Sequence, residues 1–535
     1  MIGHDYRKIV SNPGAELSIG ICEQPKSAEL PRREQSSESK PGICGRFTRF
    51  RSSIRLVFYD FNATIANSMT PNFPQTPLEW LKVFGPGAVL ASLTIGVGEL
   101  VFSTRAGALF GYNLLWFFAL VLFFKWLLVY STARHMSLTG AHPFRRWMEL
   151  PGPRGWFPLI FLLLAVLSFP IWVAFHSGTV GSLLAALTGT QGVFGGGGHF
   201  VWGIGMLGLV TIVCFIGGYK TLERAQIAIV AVMLLSVLAA FFMMQPDWGE
   251  LLNGLFIPKS VNYPNWAKAL PEIRTRPVWV ETVTYVGIIG GSAYDYLAYV
   301  SYVREKGWIA AGGEWLRPIL FDSILSFVAV LIFTVVFTVC GALILQPQHQ
   351  IPAGTDLLTL QSQFLTPLFP ALKYLYFVGA FLAVFGTLYG TIEVAPAILR
   401  ELAEAFGLVV SAKIRNIAVG WVCSVALVVL VAGLAKKGAP PALIVILTPA
   451  NLFTGVLACG CVCLLSVWAD FKFLQPELRM PLVLVVLNVL GGALFVLLGL
   501  KGYWDYNPAY SGIIFAGTLL FGVGGAVLLG RKFKS

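Results

Sequence analysis

Residues 85–116 read GPGAVLASLTIGVGELVFSTRAGALFGYNLLW, and the reading of this stretch decides the fold. It opens the first apolar run long enough to cross a bilayer. It then interrupts that run at Gly96-Val97-Gly98 and sets a carboxylate, Glu99, at the interruption. Glycine inside a helix costs roughly 1 kcal/mol relative to alanine, and a charge near the bilayer centre costs roughly 3 kcal/mol on insertion scales. Broken helices at membrane depth are tolerated only where the loosened backbone lines a protein-enclosed cavity. The stretch therefore reads as half of a substrate site inside a membrane-spanning bundle.

Composition agrees. Hydrophobic residues make up 56% of the chain and charged residues only 12%, against a usual charged share of about 25%. With a mean hydropathy of +0.74 this excludes an ordinary soluble domain. The net charge of +12 does not point to nucleic acid, because the basic residues sit in loops and tails between apolar runs. That distribution is the positive-inside pattern. The eight cysteines have neither disulfide nor zinc spacing, and Cys459, Cys461 and Cys463 read as small buried hydrophobes.

Outward from the opening stretch, the expected order is a tail, a core and a C-terminal pair. Residues 1–77 are polar, Ser- and Arg-rich, and lack a signal-peptide core. They are expected to form a disordered cytoplasmic tail or an over-extended start. Twelve spans are expected at 82–103, 113–133, 156–187, 201–218, 224–244, 281–302, 318–345, 370–398, 414–434, 441–467, 480–500 and 510–530. Basic clusters fall in the tail (Arg46, Arg49, Arg51, Arg55) and after even-numbered spans: Arg134, Arg145, Arg146 and Arg154; Lys220 and Arg224; Arg304, Lys306 and Arg317; Arg400, Lys413 and Arg415. Arg531, Lys532 and Lys534 close the chain. Both termini are thus expected on the cytoplasmic side of a cell membrane.

A second interruption resembles the first. Span six reads Ile289-Gly290-Gly291-Ser292-Ala293-Tyr294-Asp295-Tyr296, again a glycine-broken apolar helix followed by a carboxylate, five spans further on. Five is odd, so the second copy enters from the opposite side of the membrane. Glycine-interrupted segments at matching positions of two halves point to a midplane transport site.

Several stretches resemble the NRAMP family of divalent-metal transporters, members of the LeuT-fold group. They are GPG…AGALFGYNLLW at spans one to two, GGYKTLERAQ…QPDW at residues 217–248, and GIIG at residues 287–290. The resemblance runs from Leu78 to Ala469, strongest in the first half. It implies an all-α membrane protein with a LeuT-like 5+5 inverted repeat (78–245 and 280–469) and helices 1 and 6 broken. Two additional helices and a short basic tail would follow over 470–535. The family's ligand motifs are replaced. Its span-one Asp-Pro-Gly-Asn falls on Gly96-Val97-Gly98-Glu99, and its span-six Met-Pro-His falls on Tyr294-Asp295-Tyr296. Its span-three acidic positions fall near Val173 and His176.

The residues themselves suggest a substrate site of Glu99, Asp295, Gly96, Gly98, Tyr294 and Tyr296. Two carboxylates without Met, His or Cys make a hard, oxygen-rich metal site suited to Mg²⁺ or Mn²⁺. The bland readings are a structural ion pair or protonation for Glu99, a helix cap for Asp295, and packed aromatics for Tyr294, Tyr296 and Tyr299. Lys125, too deep in span two to reach water, needs a partner, with Glu99 the candidate. It, His176 and Glu393 are the candidate coupling or charge-pairing groups, while Asp322 and Glu223 read as structural. No Walker, zinc-hydrolase or nucleophile-elbow motif indicates an enzyme, and the GGGGH of residues 195–199 is a loop between spans.

The expected function is secondary active transport, by alternating access, of a hydrated hard divalent cation. The alternatives are an organic amine or amino acid recognised by Lys125, Glu99 and the tyrosines, or a non-transporting membrane sensor. The expected partners are the lipid bilayer and a small ion or solute, with no nucleic acid and no cofactor beyond a transported cation.

Overall fold

The structure, a computed structural model, describes residues 76, 79–80, 83–96, 98–274, 276–351, 370–411, 413–435 and 451–532. They belong to one compact unit, Pro71–Ser535. The expected tail over 1–77 (save Thr76), the first part of span ten (441–450) and Lys534 lie outside the described residues.

Fourteen principal helices follow one another: α1 (Pro86–Thr94), α2 (Thr104–Phe110), α3 (Leu115–Thr139), α4 (Trp156–Thr188), α5 (Gly198–Ile216), α6 (Tyr219–Met243), α7 (Val278–Ile288), α8 (Ala293–Glu305), α9 (Leu316–Cys340), α10 (Pro370–Ala405), α11 (Lys413–Ala435), α12 (Ala458–Phe473), α13 (Leu482–Tyr506) and α14 (Pro508–Lys532). Short helices punctuate the loops, and the described residues contain no strand. Wider π turns precede α2 and α12 and extend α9.

Ten helices are long and apolar enough to span a membrane, and α1 with the segment Gly98–Phe110 forms an eleventh span bent by 46°. At the position of expected span six the helix is divided between α7 and α8. Each half is too short to cross alone, since about 20 residues are needed. Helix ends follow local chemistry: α3 and α4 stop at Gly140 (φ +66°) and Gly189 (φ +68°), left-handed caps that glycine adopts without strain.

Burial separates centre from rim. Within the most apolar window of each helix, 78% is buried in α10 but only 17% in α14. The outer helices instead expose Ile212, Leu235, Val428, Leu497 and Leu520, the surface that hydrocarbon would cover. The centre is filled by α1, α3, α7, α8, α9 and α10, so the two broken spans meet in the most enclosed part of the bundle.

Candidate functional site at the two helix breaks

The first break begins where α1 ends at Thr94 and the chain turns extended at Ile95. Helix ends leave carbonyl and amide groups without intrahelical partners, and in a bilayer these must find partners within the protein. Thr387 of α10 lies with its hydroxyl 3.2 Å from the Ser92 and Ile95 carbonyls and 3.0 Å from its own Ala383 carbonyl. The Gly96 amide donates to Glu99 Oε2 at 3.2 Å. A Cβ at residue 96 would sit 2.1 Å from Thr387 Oγ1, so only glycine allows this approach.

The second break runs through Ile289, Gly290, Gly291 and Ser292. Gly290 (φ +78°) and Gly291 (φ +89°) take the left-handed region that side chains disfavour. Side chains from three elements serve the freed polar groups of this turn, and the Gly291 amide closes it on the Ile288 carbonyl at 3.2 Å. Lys125 Nζ donates to the carbonyls of Val286 (2.8 Å), Ile289 (2.7 Å) and Gly291 (2.8 Å). The Gly290 amide donates to Glu99 Oε1 at 2.9 Å. The Tyr296 hydroxyl lies 2.6 Å from the Gly290 carbonyl and 3.1 Å from that of Gly291. The amide and hydroxyl of Ser292 both donate to Asp295 Oδ2, at 2.7 and 2.9 Å, which opens α8 with a capped first turn.

Between the breaks lies a cavity of about 70 Å³. Gly96, Gly98, Asp295, Tyr294 and His176 line it, as do Thr94, Ser168, Trp172, Thr387, Thr391 and Asn451. Three of its buried polar atoms have no protein partner: Ser168 Oγ, His176 Nδ1 and Asn451 Nδ2. Buried polar groups are rarely left unpaired, so an occupant with its own hydrogen-bonding shell fits here. Asp295 is half-buried; its Oδ2 is held by Ser292.

The expected site residues thus divide into two groups. Gly96, Gly98, Tyr294, Asp295 and His176 reach the cavity. Expected to face the substrate beside Asp295, Glu99 is instead fully buried behind the wall, with an oxygen on each break. The reason is electrostatic: a carboxylate between two loosened turns is stabilised by whichever amides have lost helical partners. The direct Lys125–Glu99 pair is replaced by contacts through the turn between them, because three unpaired carbonyls lie within reach of the ammonium. Tyr294 donates to the Phe161 carbonyl at 2.6 Å and packs on Phe169 at 5.1 Å. Tyr296 and Tyr299 act on the framework, the latter donating to Asp322 at 2.9 Å. His176 stacks on Trp172 at 5.6 Å, whereas its neighbour Val173 is core. Glu393 pairs with Arg415 of α11 and does not line the cavity.

Sequence reasoning did not single out Thr387, Thr391 or Asn451. The two threonines, one helical turn apart in GTLYGT, gave the available signal: paired hydroxyls on one face of an apolar helix. Charged clusters flank the site. Arg105, Arg276 and Tyr285 converge on buried Glu281 at one end. At the other, Lys306 pairs with Glu223, and Arg304 and Arg400 pair with Glu401, Glu404 and Glu305. Glu223, read as structural, thus pairs with Lys306 at the C-terminal cap of α8. Among the described residues no three His, Cys, Asp or Glu side chains cluster to hold a metal ion.

Comparisons with known proteins support the architecture. The sequence matches the family described as Nramp, natural resistance-associated macrophage protein-like, over residues 87–505. A manganese transporter from Eremococcus coleocola, solved with an aromatic bis-isothiourea compound, superposes with a TM-score of 0.64 at 16% identity, covering 87% of this chain and 98% of that one. A variant of the same transporter gives 0.63 at 17% identity with the same coverage. MhsT in complex with L-phenylalanine gives 0.52 at 13% identity, covering 81% of this chain and 99% of that one. No protein with a curated description matches the sequence. The family match spans most of the chain and the neighbours share its helical architecture. The chain therefore belongs to the Nramp family: it is a multi-pass membrane transporter of metal-ion type with a LeuT-like fold, not an enzyme.

Proposed function

We propose that the chain moves a hydrated hard divalent cation, Mg²⁺ or Mn²⁺, by alternating access, with Asp295 as its charged contact. The observation that carries this reading is the set of unpartnered polar atoms beside Asp295: Ser168 Oγ, His176 Nδ1 and Asn451 Nδ2. With Asp295, Thr94, Thr387 and Thr391 they form a polar lining of carboxylate and hydroxyl oxygens with one imidazole and one amide N–H, without a thiolate or thioether. Such a lining suits a hard ion that keeps part of its water. About 70 Å³ is small beside the roughly 300–1,000 Å³ of organic-ligand sites. Manganese is the ion named for the Eremococcus coleocola transporter.

Glu99 and Lys125 hold the breaks in place, and Gly96 and Gly98 admit the backbone to the wall. The basic clusters in the sequence favour a cytoplasmic position for both termini by the positive-inside rule. The helices α13 and α14 follow the two five-helix repeats as an addition.

A second reading, an organic ammonium as substrate, is favoured by charge. Lys125 and Glu99 offset each other, leaving one carboxylate, Asp295, among aromatic walls of Trp172, Phe169 and Tyr294. That combination attracts a monovalent ammonium. Uptake into proteoliposomes separates the two. Mn²⁺ or Mg²⁺ flux that falls about tenfold or more in Asp295→Asn, about 1.4 kcal/mol of lost transition-state stabilisation, supports the metal. Amine flux without metal flux replaces it.

A further inference from the structure

The Lys125 ammonium stands where a free cation would be expected. An ammonium carries three N–H donors and no acceptor. Lys125 Nζ meets three carbonyl oxygens, those of Val286, Ile289 and Gly291, at 2.7–2.8 Å. Donors and acceptors match one for one, so the ammonium keeps no proton for a passing solute. The side chain is fully buried and is absent from the cavity wall. This removes the idea that Lys125 recognises a substrate carboxylate.

The seat has the features of a monovalent-cation site. Its oxygens come from the C-terminal end of α7, where the helix dipole is negative. Two belong to the unwound turn itself, and backbone carbonyls of this kind replace the hydration shell of K⁺ in selective sites. The Glu99 carboxylate, bound to the Gly290 amide of the same turn, supplies the opposite charge. Glycine at 290 and 291 keeps the seat narrow: a Cβ at 290 would lie 2.5 Å from Leu122 and 3.5 Å from the Lys125 stem.

We infer that the Val286, Ile289 and Gly291 carbonyls form a monovalent-cation seat that Lys125 fills as a tethered ammonium, so that the native protein takes no alkali ion there. The tether keeps the stabilising charge in the seat whatever the salt on either side of the membrane. Removing the side chain beyond Cβ vacates the seat without touching its three oxygens. A free cation of similar charge and size then fits it, with K⁺ the alkali ion nearest ammonium in size.

The test is thermal unfolding of the purified full-length protein in detergent, in KCl, NaCl or choline chloride at equal ionic strength. The native protein is expected to melt at the same temperature in all three salts. Lys125→Ala is expected to melt lower in choline chloride and to recover by about 3 °C or more, saturably, in KCl or NaCl. Recovery of folded Lys125→Ala only when K⁺ or Na⁺ is present throughout purification supports the seat equally. The inference is overturned by identical melting of Lys125→Ala in all three salts. It is also overturned by a saturable alkali response of the native protein, or by a variant that no salt rescues. These readouts measure binding alone and are independent of which solute the transporter carries.

Discussion

The two breaks solve one problem with different materials. At the first, the carbonyls of Ser92 and Ile95 share a single neutral hydroxyl, that of Thr387, which also lies within reach of Ala383. One proton among three acceptors satisfies one at a time. At the second, three carbonyls receive three protons from a full positive charge on Lys125. Charge-assisted bonds are roughly twice as strong as neutral ones, and the low dielectric of the buried site strengthens them further. The second break is therefore locked and the first only lightly held. Glu99 joins them, one oxygen on each. The lesson is that rearrangement during transport is easier at the first break, where a hydroxyl can change acceptors.

Lys125→Met is the severest way to break this comparison. It takes the side-chain donor from the Val286 and Ile289 carbonyls, leaves Gly291 with Tyr296 alone, and deprives Glu99 of its counter-charge, a loss of about 3–5 kcal/mol by analogy with broken buried pairs. Thermal unfolding in detergent should show the largest drop of any single substitution at the site. Glu99→Gln comes next. The amide keeps one acceptor but turns an N–H toward a backbone N–H, costing about 1–3 kcal/mol. A double-mutant cycle sharpens the point: Lys125→Met with Glu99→Gln should cost less than the sum of the two, because the charges that oppose each other disappear together. Additive costs would separate the two groups.

The smallest effect belongs to the lighter break. Thr387→Val keeps the shape and removes one hydroxyl, a loss of about 1 kcal/mol. Because Thr387 lines the cavity and its hydroxyl holds the first break, the variant should alter transport rate more than melting temperature. Equal sensitivity of melting to Thr387→Val and Lys125→Met would erase the distinction between the breaks.

Much of this frame was legible in the sequence because its signals are local. Gly96 and Gly98, then Gly290 and Gly291, mark both interruptions, and each has a carboxylate within a few residues. Direction was not legible. Whether Glu99 points into the cavity or back at the chain depends on which amides the folded turns leave free, and those turns are 191 residues apart along the chain. For Asp295 both the helix-cap and the cavity readings describe its place, since one oxygen serves Ser292 while the residue lines the wall. Thr387 and Asn451 arrive from distant spans, and a lone hydroxyl or amide in an apolar helix carries no mark of what it will face. Lys125 announced that it needed a partner, but not that the partner was backbone.

Asp322 of α9 carries a mechanical consequence. Its two oxygens accept the amides of Gly85 (2.9 Å) and Gly87 (2.7 Å) at the start of α1, and Tyr299 of α8 donates to one of them. The leading end of α1 is thereby pinned to two neighbours by a single anion. A swing of that end outward must either surrender both backbone protons at once or drag α9 along as one lever. The hinge then falls at the other end of α1, where the Thr387 hydroxyl alone serves the loosened carbonyls and Glu99 takes only the Gly96 amide.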